Sequence, residues 1–203
     1  MKGNLFTYLL FLAVILSGVY ALHFFEISQE EARPGTTDLT LETDLHLNNA
    51  KLYIKEKSIE RSLFHLQKAI HSIEVIEEIA DSVSLAELDY ALWDLKKVKA
   101  DVEVGIIEYD HLNHSFILAL NSIAEAQLRL SEKYLLNGNE KDAGYALRYA
   151  SEHLHNALKY AADGEIHDEL KAYRHIDSLV HTKLDSSQIQ EIENAIEELH
   201  EIK

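Results

Sequence analysis

The sequence DHLNHSFILALNSIAEAQLRLSEKYLLN, residues 110–137, decides the fold class of this chain. It contains neither proline nor glycine, the two residues that most readily end a helix. Its apolar side chains Phe116, Leu120 and Ile123 recur at intervals of four and three residues, which places them on one face of an α-helix. The stretch therefore predicts a long amphipathic helix that packs against helical neighbours.

The same periodicity extends along the chain on both sides of this stretch. Near the start of the domain, two sets of apolar residues recur at helical spacing: Leu41, Leu45 and Leu52, and Leu47, Ala50 and Ile54. Signals for helix starts occur at Ser58, Ser84–Glu87, Asn139 and Ser187–Gln190. We predict helices at 38–57, 59–80, 84–104, 110–137, 139–163, 165–183 and 186–202. One heptad register also runs from Leu88 to Leu130 through Gly105, so one bent helix in place of the third and fourth is an open alternative.

Composition agrees with an all-α fold and excludes several functions. The 203 residues include one proline, seven glycines and no cysteine, which rules out disulfides, cysteine-based zinc sites and iron–sulfur clusters. Nineteen basic residues against 35 acidic ones give a net charge of −16, and such a surface repels the phosphate backbone of nucleic acids. We therefore expect no nucleic-acid partner.

An uncharged apolar run, LFTYLLFLAVILSGVYALHFF, covers residues 5–25. As a helix it is about 31 Å long, enough to cross a bilayer. Lys2 precedes the run and the first charge after it is Glu26, so the positive-inside rule places the N-terminus in the cytoplasm. The expected location is the cytoplasmic membrane, with a single pass and an extracytoplasmic, periplasmic C-terminal domain. A signal peptide cleaved after Ala21, which would release the protein, is the alternative.

These features predict the following organisation. Residues 1–4 are cytoplasmic, 5–25 form the transmembrane anchor or signal peptide, 26–37 form a linker, and 38–203 form the extracytoplasmic helical domain. The linker contains the only proline, Pro34, followed by Gly35. The domain is expected to be a bundle of six to seven antiparallel helices.

Two segments of this domain resemble each other at an offset of 81 residues. The offset aligns Tyr53 with Tyr134 and Leu66 with Leu147, and the apolar register persists into the following helix. An internal duplication of two three-helix units is therefore possible in this chain, and shared apolar periodicity is the alternative explanation.

The second of these segments, residues 130–161, resembles a tetratricopeptide-type helical hairpin. Gly138 stands at the turn, and the small residues Ala143 and Ala150 stand where the two helices approach each other. The first segment departs from that pattern, with Lys57 at the turn and Ser62 at the first small position. The exported all-helical layout also resembles the YfdX family of periplasmic proteins, a resemblance that implies the same compartment but no mechanism.

Histidine and glutamate supply the candidate metal ligands. The chain has 12 histidines and two Glu-x-x-His pairs, Glu108 with His111 and Glu197 with His200. In di-iron bundles such pairs combine with further glutamates. Glu108, His111 and His114 are only weak candidates for metal ligands, because histidines that lie on the surface by chance would give the same pattern. We expect no metal, no cofactor and no catalytic residue, since the sequence contains no nucleotide-binding, hydrolase or metalloprotease motif.

The expected function is that of a membrane-tethered extracytoplasmic scaffold that resembles helical-repeat proteins. It would bind a protein or peptide partner, or associate with itself, and residues 5–25 would hold it to the membrane. A His- and carboxylate-rich helical bundle that binds metal or haem non-covalently is the alternative function. The chain is not expected to be an enzyme.

Overall fold

The computed structural model describes residues 37–78, 80–161 and 166–202, and only the backbone of residues 37–40. The predicted anchor at 5–25 and nearly all of the linker lie outside the described residues. The described residues contain seven α-helices and no strand: α1 Thr37–Lys55, α2 Ile59–Glu77, α3 Ser82–Glu103, α4 Tyr109–Leu136, α5 Glu140–Ala157, α6 Ile166–Val180 and α7 Ile189–Ile202. The predicted all-α fold is confirmed. Within these ranges, no helix combines the length and the apolar character that crossing a bilayer requires.

A turn at Gly105 separates α3 from α4, so the alternative of one bent helix is wrong. Gly105 has a φ of 80°, a left-handed conformation that ends a helix and that glycine adopts at little cost. The Ile106 amide donates to the Asp101 carbonyl oxygen at 2.8 Å, which closes the last turn of α3. The chain then reverses direction before Tyr109.

Aspartates cap two helix starts where serines were predicted to do so. Asp81 caps α3, since its Oδ1 accepts hydrogen bonds from the Val83 and Ser84 amides at 2.8 and 2.9 Å. Asp185 caps the short 3₁₀ turn Ser186–Gln188 that leads into α7. Ser58 precedes α2 as predicted, but its side chain makes no capping hydrogen bond. Asn139 caps α5 as predicted, accepting from the Asp142 amide.

The long helix α4 contributes to two hydrophobic cores, one after the other along its length. At 28 residues it is about 42 Å long. Its first half, through Ile123, packs with α1, α2 and α3, which we call the first bundle. Its second half, from Ala124, packs with α5, α6 and α7, which we call the second bundle. Tyr160, just after α5, reaches into the first core and meets the Phe116 ring edge-to-face at 5.2 Å.

The turns at Lys57 and Gly138, 81 residues apart, have the same geometry. Their φ angles are 59° and 70°, both left-handed. The residue after each turn donates to a tyrosine carbonyl at 2.8 Å, Ser58 to Tyr53 and Asn139 to Tyr134. Lys57 therefore adopts the conformation that the hairpin requires, although glycine would adopt it with less strain.

The correspondence at this offset continues through the two cores. Five pairs of core positions 81 residues apart are fully buried in both members: Leu47 and Leu128, Leu66 and Leu147, Ala69 and Ala150, Ile73 and Leu154, and Leu95 and Ile176. In chain order, α1 corresponds to the second half of α4, α2 to α5, α3 to α6, and the first half of α4 to α7. Each bundle thus contains four helical segments in the same order.

Candidate functional site

The three predicted metal candidates do not converge on one point. Glu108 precedes α4 and is exposed, as is His114. His111 is partly buried, and its Nε2 lies 3.1 Å from Oδ1 of Asp94 on α3. Ser115 donates to the other oxygen of the same carboxylate. His111 therefore joins α4 to α3, and its partner is an aspartate that no local motif indicated.

A different cluster of potential ligands lies where α3, α4 and α7 meet. It consists of Glu87, Glu125 and His200, and one ligand atom from each lies within 4.8 Å of the others. Glu125 is fully buried, and its Oε1 lies 3.1 Å from Nε2 of His200. The histidine comes from the second predicted Glu-x-x-His pair, whereas Glu197 of that pair does not take part in this group of ligand atoms.

Arg129 determines the chemistry of this cluster. Its Nε and Nη2 both donate to Oε1 of Glu125 at 3.0 Å, and Nη2 lies 3.4 Å from Nε2 of His200. The guanidinium thus supplies a positive charge to the buried Glu125 carboxylate and lies against two of the three groups that could hold a metal ion. The arrangement is that of an ion-pair network joining the two bundles.

A second buried polar contact joins the bundles on another side. Asp44 of α1 accepts a hydrogen bond at 2.8 Å from Nδ1 of His153 of α5, and its other oxygen accepts from Asn156. His153 is fully buried. Asp44 and Glu125 are 81 residues apart, so each bundle carries a buried carboxylate at the same position, paired with a histidine of another helix.

Two histidines on α1 and α2 form a compact aromatic cluster. Nδ1 of His46 lies 2.9 Å from Nδ1 of His65, and the His65 ring stacks on Tyr53 with a centroid distance of 5.4 Å. Burial lowers the pKa of both histidines, and their mutual repulsion lowers that of His46 further. Burial thus favours the neutral form of both rings, and the pair forms a packing contact between the two helices.

The solvent-facing side of α3 is unusually apolar. Its residues at alternating spacings of three and four form what we call the outer seam: Val83, Ala86, Tyr90, Trp93, Lys97, Ala100 and Val104. All are exposed, and Tyr90 and Trp93, at 55% and 59% exposure, stack on each other at a centroid distance of 6.1 Å. The opposite side of α3 is buried in the first core through residues such as Leu88 and Leu95. A helix that is apolar on both sides is typical of one covered on both sides.

The second bundle provides an internal comparison for the outer seam. The described positions of α6 that lie 81 residues after the seam are also solvent-facing, and all are polar: His167, Lys171, Arg174, Ser178 and His181. The fold therefore does not require apolar residues at these positions. Their presence on α3, and not at the corresponding positions of α6, makes the outer seam a candidate binding face.

A groove of about 530 Å³ lies between α5 and α6. Tyr173 and Val180 form its apolar wall, and Arg148, Glu152 and Asp177 bring charges of both signs to it. In the first bundle, Lys96 and Glu74 occupy two of the corresponding positions and form an ion pair at 2.8 Å. The groove is open to solvent and combines an apolar wall with charges of both signs. It is therefore a weaker candidate binding site than the outer seam.

Glu77 at the end of α2 should make stability depend on pH near neutrality. Burial, together with a hydrogen bond to Asp89 and the charge of that group, raises its pKa from 4.5 to about 7. A raised folded-state pKa contributes stability that is complete below the unfolded value and is lost as pH rises through about 7. We expect the free energy of unfolding to fall between about pH 4.5 and about pH 7, the unfolded and folded pKa values of this carboxyl, and to level off above that range. Glu77→Gln should remove this part of the fall, which urea titrations at several pH values measure. An unchanged dependence of the unfolding free energy on pH in the variant would contradict the assignment.

Comparisons with known proteins give no match for the chain. No protein family, no curated protein and no solved structure is significantly similar to it. The resemblances to tetratricopeptide hairpins and to the YfdX family therefore stay predictions. Function has to be argued from the surface of this molecule.

Proposed function

We propose that this protein is a membrane-tethered extracytoplasmic scaffold that acts by binding a protein partner through the outer seam of α3. The observation that carries the proposal is the exposure of Tyr90 and Trp93 within an apolar face that spans the whole helix. Aromatic residues are enriched at the energetic centres of protein interfaces. Lys97, whose Nζ lies 5.8 Å from the Trp93 ring centroid, adds the one charge on the seam.

The tether and the compartment rest on the sequence of residues 5–25. An uncharged run of that length behind Lys2 favours a single pass with the helical domain outside the cytoplasm. Tethering would confine the domain to a layer close to the membrane and raise its effective concentration for partners there. Protease added to spheroplasts should then digest residues 38–203, and full protection would contradict the topology.

An internal duplication also fits this proposal. The matching turns at Lys57 and Gly138 and the matching core positions support descent of both bundles from one unit. After such a duplication, one copy can keep a solvated outer face while the other acquires a binding face. The polar residues of α6 and the apolar residues of α3 have that relation.

Site-specific photo-crosslinking in intact cells tests the proposed function. A photoreactive phenylalanine analogue at Trp93 should give discrete crosslinked products after irradiation, because the partner covers this side chain. The same analogue at Arg174, the corresponding exposed position on α6, is the matched control and should give none. Equal labelling at both positions, or none at either, would contradict binding through the outer seam.

Metal binding is the alternative function, and its best-placed residues are Glu87, Glu125 and His200. A metal ion would have to displace the Arg129 guanidinium from Glu125, which weighs against this function. Elemental analysis of protein purified without a polyhistidine tag separates the two functions. A transition metal present in stoichiometric amount would favour the alternative.

A further inference from the structure

We propose that the partner of the outer seam is a second copy of this chain, with the two α3 helices packed antiparallel about a two-fold axis. This inference rests on the proposed function, since it names the occupant of the same face. The spacing of the seam, the sizes of its side chains and the charges beside it all favour such a pair.

The spacing of the outer seam is that of a coiled coil. From Val83 to Val104 the residues alternate between intervals of three and four, which is the a and d pattern of three heptads. The face is about 31 Å long, a length at which a helix pair can contact over its whole course. An isologous two-fold pair brings the same seam of two copies together, so that each copy covers apolar residues of the other.

In an antiparallel pair, a positions of one helix face d positions of the other. One register gives three kinds of layer, each occurring twice: Tyr90 against Trp93, Ala86 against Lys97, and Val83 against Ala100 of the second copy. Each layer sets a larger side chain against a smaller one or one aromatic ring against another. The central layers place four aromatic rings around the two-fold axis, where ring pairs stabilise contacts beyond their buried area.

Charges beside the seam select this register. Asp89 precedes Tyr90 and Lys96 precedes Lys97, so both flank the seam on the same side of α3. In the register with Tyr90 against Trp93, each Asp89 faces Lys96 of the second copy, giving two symmetric ion pairs. Sliding the pair by one heptad would set the two Lys96 side chains against each other, and like charges disfavour that arrangement. Within one chain Lys96 also pairs with Glu74 at 2.8 Å, and its side chain is half exposed.

The absence of cysteine from the chain makes disulfide mapping a direct test. We would prepare full-length Val83→Cys and Ala100→Cys proteins in detergent and oxidise them separately and as a mixture. The proposed register brings position 83 of one copy beside position 100 of the other, whereas identical positions lie about 25 Å apart. The mixture should therefore give a dimer joined by a disulfide, and either protein alone should not. Dimers from each single variant would indicate parallel pairing and overturn the antiparallel arrangement.

Substitutions that introduce residues of the second bundle test how strongly the two aromatic residues stabilise the dimer. Tyr90→Lys with Trp93→Arg introduces the residues that α6 carries at Lys171 and Arg174. Sedimentation should show the affinity of the dimer lowered at least about 100-fold, with the circular dichroism spectrum unchanged. Tyr145→Lys, which removes an exposed aromatic residue of α5, is the control and should leave the dimer intact.

The outcomes separate this inference from the proposed function. If photo-crosslinks at position 93 give products other than twice the chain mass, and the protein sediments as a monomer, the scaffold function stands and self-pairing is wrong. If neither crosslinks nor dimers form, both are wrong. Crosslinked products of twice the chain mass, together with the mixed disulfide, would support both.

Discussion

Arg129→Leu is expected to lower the free energy of unfolding by about 3 kcal/mol, one of the largest effects of a single substitution in this protein. The guanidinium donates two N–H groups to Oε1 of Glu125, a carboxylate that is fully buried. Without the guanidinium the buried carboxylate loses both of these charge-assisted hydrogen bonds. Chemical denaturation of the purified protein followed by circular dichroism measures the change.

Two companion variants identify the cause of this loss. Glu125→Gln combined with Arg129→Leu removes the buried charge along with its partner, so the double variant should be more stable than Arg129→Leu alone. Arg174→Leu is a matched control, because Arg174 is exposed on α6 and its loss should change stability by less than about 0.5 kcal/mol. Equal losses in the single and double variants would show that packing of the arginine stem, and not charge, is responsible.

The helices were predictable from the sequence because the apolar residues that form them are close together in the chain. The stretch at 110–137 gave a helix whose observed bounds, Tyr109–Leu136, differ by one residue at each end. Turns were harder, since several short polar residues compete to cap one helix. At the start of α3, Asp81 rather than Ser84 provides the capping oxygen, and a carboxylate there also favours the positive end of the helix dipole.

Which face of a helix is buried could not be predicted where both faces are apolar. On α1 the set Leu47, Ala50 and Ile54 is buried, whereas Leu45 and Leu52 are about half exposed. On α3 the inner residues form one heptad pattern and the outer seam forms another. Periodicity alone does not distinguish the two patterns. Which face is buried depends on neighbours that are distant in the chain.

The polar contacts between helices were beyond prediction for the same reason. His111 pairs with an aspartate 17 residues earlier, and His153 pairs with Asp44 at a separation of 109 residues. The Glu-x-x-His spacing drew attention to His111 and His200 but gave the wrong partners for both. A local motif describes one helix face, and these sites form only where several helices meet.

Asp44→Ala is expected to lower the free energy of unfolding by about 3 kcal/mol. It should also loosen the attachment of α1 more than that of the other helices. The carboxylate accepts from Nδ1 of His153 at 2.8 Å and from Asn156, and thereby fixes α1 on α5. Truncation leaves the fully buried His153 ring without this partner, and no described residue bonds to its Nε2 either. Water cannot easily compensate a ring at that depth, so its desolvation is uncompensated.

Hydrogen exchange can show whether this contact acts locally. Amides of α1 should lose protection in Asp44→Ala by more than those of α7, which belongs to the other bundle. His153→Ser introduces the residue type of the corresponding position of α2, which is the buried Ser72. Combined with Asp44→Ala it removes both partners, so the double variant should cost less than the sum of the two single substitutions. Additive losses with uniform exchange along the chain would mean that Asp44 and His153 stabilise the fold independently, and that α1 is held to α5 by its apolar contacts alone.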